Sequence, residues 1–410
     1  MRHFFAIALS FTAAIAVMGA KVELTADHEN CLYAAGEEAV VTITVNDVSP
    51  GSTTEMEVTI SWNDGEETEV KTFPAQKPAE LKLTRDCGFA LITAAYPAEA
   101  EQRTTASIGI GFAPEKITPI MPERADFDEF WLNAKDKINN ITPDTILEPL
   151  PEFSTDEYTC YRISFANINN TRIHGFLSVP TAEGKFPVYF SVPGAGPNAR
   201  TPMINEYKVP NDRTITLVMN VFPFPMPTDI EEARAKLKEM YGDGYYAVPT
   251  IPEPEKAFFY RALIGIDFAL DFIAAHDKSN GNVVYWGSSQ GGAAGLALAA
   301  LNDNIKALAL NVPARFDKHF VYAYKNTGDE RFLESATSFS ADGFARRVNV
   351  PIQLSIGMID KTCTPLSIMQ WFNRIPAEDK TAVFVPGMGH GFDNDYDALT
   401  AAFLKKHLEK

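Results

Sequence analysis

Through the first quarter of the chain, apolar and polar residues alternate at a period of two. Runs at 39–45, 55–60, 81–83, 88–94 and 104–108 repeat the pattern, and the turn-forming clusters Ser49-Pro50-Gly51 and Asn63-Asp64-Gly65-Glu66 separate them. Short strands at regular spacing predict an antiparallel immunoglobulin-like sandwich over 21–112. Pro114, Pro119 and Pro122 then mark a linker at 113–124. Beyond it the period changes. A helix is predicted at 126–139, followed by strands of antiparallel character at 158–165 and 172–179. Unbroken apolar runs at 186–192, 214–221, 282–286, 307–310 and 350–356 alternate with helical segments. Strands that read as continuous apolar runs between helices are parallel and buried on both faces. Residues 125–410 therefore read as an α/β domain. The helix at 257–276 supplies one crossover, with Phe258, Ala262, Ile266, Ala269 and Leu270 on its apolar face.

The segment 222–254 breaks this economy of connections. It is long and rich in proline and aromatic residues, and it follows a strand end on the face where α/β enzymes bind ligands. It reads as lining the site, with Phe222 and Tyr245 as substrate contacts; the plainer alternative is a surface excursion carrying a short helix at 230–240.

Composition narrows the partners. Asp and Glu number 53 against 36 Lys and Arg, a net charge of −17. That balance opposes nucleic acid or an anionic membrane as a partner. Residues 1–20 follow the pattern of an export signal: Arg2 and His3, an apolar run from Phe4 to Met18, then Gly19-Ala20 before the polar Lys21. Cleavage is expected near Ala20; a retained anchor helix is the alternative, for which the run is short and lacks a basic flank. No later stretch is apolar for long enough to span a bilayer. Export permits disulfides, and Cys31 and Cys87 fall in the same predicted domain, so a bridge between them is a candidate. Cys160 and Cys363 read as buried thiols, and no cysteine spacing resembles a zinc site.

The most informative string is Gly287-Ser288-Ser289-Gln290-Gly291-Gly292. It joins the apolar run 283–286 to the Ala-rich, helix-forming 293–300. Strand, tight Gly-x-Ser-x-Gly turn and helix together form the context of a nucleophile elbow. The register selects Ser289 over Ser288, and the backbone N–H of Gln290 faces the place where an oxyanion would form. The partners expected after such a serine are an acid and then a histidine. Asp360 lies in the turn after the run 350–357, and His390 lies in the glycine-rich loop Gly387-Met388-Gly389-His390-Gly391 after the run 381–386. Asp393, Asp395 and Asp397 are alternative acids, but they precede a helix, where carboxylates are favoured anyway. His28, His174, His276, His319 and His407 read as surface or packed structural residues.

These residues resemble the acetyl xylan esterase and cephalosporin-C deacetylase family of α/β-hydrolases, carbohydrate esterase family 7. The likeness covers roughly 114–410 and is carried by 127–131, 172–180, 287–292 and 357–365, including Asp360-Lys361-Thr362-Cys363-Thr364-Pro365. The resemblance implies an α/β-hydrolase fold, a triad of Ser289, Asp360 and His390, and removal of O-acetyl groups from small acetylated saccharides without a cofactor. Three blocks depart from the family. Its His-Gly-Tyr is Pro193-Gly194-Ala195 here, so the second oxyanion donor falls to the N–H of Ala195. Its Arg-Gly-Gln-Gly has no counterpart in 221–224, so the family's assembly does not carry over and a homo-oligomer stays open. Its His-Glu is His390-Gly391. Two other readings remain at this point: a carbohydrate-binding or adhesion protein on a hydrolase scaffold, and a peptidase of the same fold. Against the latter, 21–112 is too short for the propeller common in such peptidases.

Overall fold

The computed structural model describes residues 20–48, 54–98, 103–196, 212–225, 229–242 and 244–410. The predicted export signal lies outside the described residues apart from Ala20. The chain divides into two compact units. One holds the chain through Thr118 together with Ser355–Asn373 and Ala382–Asp393; the other holds Pro119–Leu354, Arg374–Thr381 and Asn394–Lys410.

In the first unit, the N-terminal stretch forms two sheets. Lys21–Ala26, Glu38–Asn46 and Ala79–Thr84 make a three-stranded antiparallel sheet. Five strands make the other, in the order Leu32–Tyr33, Thr104–Phe112, Gly88–Tyr96, Glu55–Trp62, Glu67–Pro74. The alternation in the sequence appears as alternating burial: Ala39, Val41 and Ile43 on one strand, and Met56, Val58, Ile60 and Trp62 on another, all point inward. Glu67–Pro74 was not predicted. It is a charged edge strand, exposed except at Phe73, whose register is set by backbone pairing to Glu55–Trp62. The Cys31–Cys87 bridge is not formed: all four cysteines are free thiols. Cys31 is buried, which pushes its thiol up to about 12, and the Cys87 thiol donates to the Ala113 carbonyl.

Most of a mixed sheet of nine strands belongs to the second unit, and the ends of two of its strands, residues 355–357 and 382–385, belong to the first. In order across the sheet the nine are Lys380–Val385, Ile352–Gly357, Ile305–Asn311, Ser279–Ser288, Phe186–Val192, Ile215–Met219, Thr171–Pro180, Tyr158–Asn167 and Ile146–Pro149. Pairings from Ile352–Gly357 to Ile215–Met219 are parallel, and the last three strands join antiparallel. Every residue of Ile215–Met219 is buried, as an unbroken apolar run requires.

Side-chain parity on the central strands sends residues to opposite faces. On one face Tyr189, Val284, Trp286, Ala307 and Ala309 pack under Leu404 and Leu408 of the C-terminal helix Asn394–Leu408. On the other, Tyr285 meets the helix Gln290–Leu301, donating from its hydroxyl to the Gly291 carbonyl at 2.6 Å. Helices therefore cover both faces of the sheet, the α/β-hydrolase arrangement expected from the sequence. Among the described residues no helix is long and apolar enough to cross a membrane. His174, His319 and His407 are buried, in keeping with packed structural roles, and burial lowers the imidazole of each.

Candidate active site

The strand Ser279–Ser288 ends where Ser289 takes φ 53 and ψ −115, and Gln290–Leu301 begins at once. A left-handed backbone at a residue other than glycine stores strain on the order of 1–3 kcal/mol, and such strain persists only where neighbours enforce it. Here the Ser289 N–H donates to the Asn311 carbonyl at 2.9 Å, and the Ser289 carbonyl accepts from Ala293 at 3.0 Å and from Ala314 at 2.9 Å. The flanking glycines are required by close approach. A Cβ on Gly287 would stand 2.5 Å from the Gly291 oxygen, and one on Gly291 would run into the Val192 carbonyl. Ser289 is half-buried at the head of the helix. The neighbouring Ser288 hydroxyl accepts from the Asn311 amide at 3.1 Å.

Beside the elbow runs the turn that leaves the strand Phe186–Val192. A Cβ on Gly194 would lie 4.0 Å from the Ser289 Cβ, so this backbone packs directly against the serine. The Gln290 side chain ties the turn down, its Nε2 directed at the carbonyls of Pro193 at 3.5 Å and Gly194 at 3.4 Å. Tyr246 closes the arrangement. Its hydroxyl donates to Gln290 Oε1 at 2.5 Å and accepts the Gly196 N–H at 3.3 Å. Burial pushes the Tyr246 phenol well above its ordinary range, so it stays a neutral donor. Ala195, between Gly194 and Gly196, is exposed.

The long segment predicted to line the site supplies Tyr246. Phe222 is buried, stacked on Phe224 and set edge-on to Tyr246 at 4.8 Å. Tyr245 is exposed, with its ring 4.8 Å from Tyr246 and 5.6 Å from His319. The sequence points to Tyr245 rather than Tyr246, because in an irregular loop no period tells which of two adjacent rings turns inward. The short helix of the alternative reading, a surface excursion, forms over Ile230–Tyr241.

Asp360 and His390 belong to the other unit and meet there. Asp360 follows the strand Ile352–Gly357 and is buried at 3% exposure. Its Oδ1 accepts from the backbone N–H groups of Thr362 at 2.7 Å and Cys363 at 3.0 Å, which leaves Oδ2 for His390 Nδ1 at 2.8 Å. The acid and histidine loops abut. A Cβ on Gly357 would stand 2.5 Å from the Gly389 oxygen, and the Ile359 N–H donates to the Met388 carbonyl at 3.1 Å. With Nδ1 bound to the carboxylate, the tautomer places the remaining lone pair on Nε2. Hydrogen bonds to Asp360 and then Cys363 hold the imidazole above its usual 6.5, against the opposing pull of desolvation.

Asp360, Cys363 and His390 also bring atoms of metal-ligating type within 4.8 Å of one another. A cation there would compete with the Asp360–His390 hydrogen bond. Ser289, Gln290 and Ala195 lie in one unit, and Asp360 and His390, hydrogen-bonded to each other, lie in the other.

Comparison with known proteins gives a family. Residues 115–407 match the family described as acetyl xylan esterase (AXE1). The acetyl esterase Axe7A of Xylanibacter ruminicola is 25% identical over 317 residues, covering 74% of this chain and 71% of that protein. The crystal structure of acetyl xylan esterase 1 from Thermoanaerobacterium sp. JW/SL YS485 superposes with a TM-score of 0.62 at 19% identity, over 72% of this chain and 97% of that one. The acetyl xylan esterase from Paenibacillus sp. R4 gives 0.61 at 18% identity, over 72% and 98%.

Proposed function

The chain belongs to the acetyl xylan esterase family and is a carboxylic ester hydrolase, and on that premise we propose that Ser289, His390 and Asp360 work as a triad removing O-acetyl or other short acyl groups from saccharides such as acetylated xylo-oligosaccharides. The observation that carries this reading is the strained, glycine-flanked Ser289 at the head of its helix. The Asp360–His390 hydrogen bond supports it.

In the proposed cycle His390 Nε2 takes the Ser289 proton as the hydroxyl oxygen attacks the ester carbonyl. The N–H groups of Gln290 and Ala195 hold the oxyanion of the tetrahedral intermediate. Its collapse expels the sugar alkoxide, which receives the proton from His390 and leaves an acetyl ester on Ser289. His390 then deprotonates water, the hydroxide adds to the acyl carbonyl, and Ser289 departs with the proton while acetate is released. Asp360 keeps the Nδ1–H tautomer and balances the imidazolium in both halves. Tyr245 is the exposed ring offered to a sugar face, with Phe222 behind Tyr246 as packing for that wall. The cycle needs no cofactor.

In this reading the chain is exported, with cleavage near Ala20. In the same reading the chain comprises an immunoglobulin-like sandwich over 21–112, a linker at 113–124 and a hydrolase domain over 125–410. Release of acetate from acetylated xylo-oligosaccharides by the full-length protein and by Ser289→Ala tests the reading. The variant should retain at most about a thousandth of the wild-type rate, and equal rates would refute it.

A further inference from the structure

The solved relatives are covered almost to their full lengths by 72% of this chain, and residues 115–407 carry the family match. The two N-terminal sheets therefore lie largely outside what those relatives provide, and nothing in the ester chemistry asks for them. Within the unit that contains them, these sheets touch the acid and histidine loops at defined points.

Gly109, in the strand Thr104–Phe112, touches both loops. Its N–H donates to the Pro386 carbonyl at 3.3 Å, four residues before His390. A Cβ at Gly109 would lie 2.5 Å from the Met358 Cβ and collide with the Met358 carbonyl, two residues before Asp360. One residue without a side chain thus stands against the backbones of both loops. The Phe89 ring stacks on Phe384 at 6.2 Å, next to the same histidine loop.

A second clamp holds the other end of the acid loop. The Thr364 hydroxyl caps the helix Pro365–Phe372, accepting the Ser367 N–H at 3.2 Å, and donates to Asp64 Oδ2 at 2.8 Å. Asp64 sits in a turn of the five-stranded sheet with φ 64. At the far end of that helix the Asn373 amide donates to the carbonyls of Pro114 at 2.9 Å and Ile117 at 3.0 Å. Between the clamps lie Thr362 and Cys363, whose N–H groups orient the Asp360 carboxylate.

We propose that the N-terminal sandwich is a positioning device for catalysis, with Gly109 and Asp64 as positioning residues that set the Asp360–His390 geometry through Met358, Pro386 and Thr364. This rests on the triad reading above. It makes the sandwich a part of the hydrolase's working structure rather than a tethered appendage.

The test is steady-state kinetics on p-nitrophenyl acetate across pH, with Gly109→Ala, Asp64→Ala, Asp64→Asn and the control Asp47→Ala in the full chain. Asp47 has a similar left-handed φ of 61, so it carries the same backbone cost in the same sandwich without standing against the acid loop. Gly109→Ala must displace Met358 on the order of 1 Å, a shift that typically costs about 100-fold in rate. The expected result is a fall in kcat of roughly 10- to 100-fold at little-changed KM, with the acid limb of kcat/KM moved toward lower pH as the His390–Asp360 bond loosens. Should Gly109→Ala fail to fold, Asp64→Ala decides. It should lower kcat about 3- to 10-fold with the same pH movement, Asp64→Asn should restore both, and Asp47→Ala should leave both unchanged. Wild-type kcat and an unmoved acid limb in folded Asp64→Ala, or in folded Gly109→Ala, overturn the proposal. A parallel His390→Ala measurement separates the two readings: full activity there defeats the triad itself, whereas loss of activity there with silent sandwich variants defeats only the positioning role.

Discussion

Tyr246 and Gln290 share a hydrogen bond of 2.5 Å, and the same hydroxyl accepts the Gly196 N–H at 3.3 Å. The long aromatic segment thereby reaches the residue next to the proposed nucleophile. It also holds the turn on which Ala195 sits.

Tyr246→Phe keeps the ring and its packing against Phe222 and Phe258 and removes the hydroxyl alone. Losing an oxyanion donor outright costs about 100- to 1000-fold. Tyr246 stands one hydrogen bond away from Gln290, a proposed oxyanion donor, so kcat should fall about 10-fold with KM within about 2-fold. Esterase kinetics on a soluble acetyl ester check this. An unchanged kcat would mean the turn holds its position without the clamp.

The raised imidazole of His390 sets a direction for pH dependence. Hydrogen bonds to Asp360 and Cys363 favour the protonated ring, so the free base needed for attack accumulates only above 6.5, and kcat/KM should climb with pH through an acid limb above that value. Asp360→Asn removes the main cause: the limb should move down toward 6.5 while the rate falls by about 1000-fold or more. For stability the sign is reversed. A group whose folded value is raised contributes stability that is fully present below its unfolded value and is lost as pH rises through the folded one. The wild type should therefore lose thermal stability relative to His390→Ala as pH rises above 6.5.

Trp131 gives a prediction independent of chemistry. It is buried at 1% exposure, its Nε1–H donates to the Ser338 carbonyl at 3.0 Å, and its ring meets Phe130, Tyr260, Phe339 and Phe344. Trp131→Ala should cost about 3–5 kcal/mol from the cavity and the orphaned carbonyl. Denaturant unfolding measures it, and a loss below about 1 kcal/mol would show that the cluster repacks around the gap.

The elbow was legible because sterics write it into the sequence: no Cβ fits at Gly287 or Gly291, so the glycines appear at fixed offsets from Ser289. The parallel strands were legible because burial on both faces demands unbroken apolar runs such as Ile215–Met219. The pairing of Asp360 with His390 was legible from their places after two successive strands. Glu67–Pro74 was not, since an exposed edge strand needs no apolar alternation and takes its register from its neighbour. Tyr246 was not, because a loop has no period. Nor was the seat of Gly109 on Met358, a contact between backbones far apart in sequence that only a missing side chain permits.

In the proposed cycle Ser289 carries the acyl group. Acid quenching of the enzyme during turnover of p-nitrophenyl acetate, followed by mass spectrometry of its peptides, tests this most directly. One acetyl group is expected on the peptide containing Ser289, and none in Ser289→Ala, which should also have lost turnover. Acetylation confined to another residue, or wild-type turnover by Ser289→Ala, would contradict it.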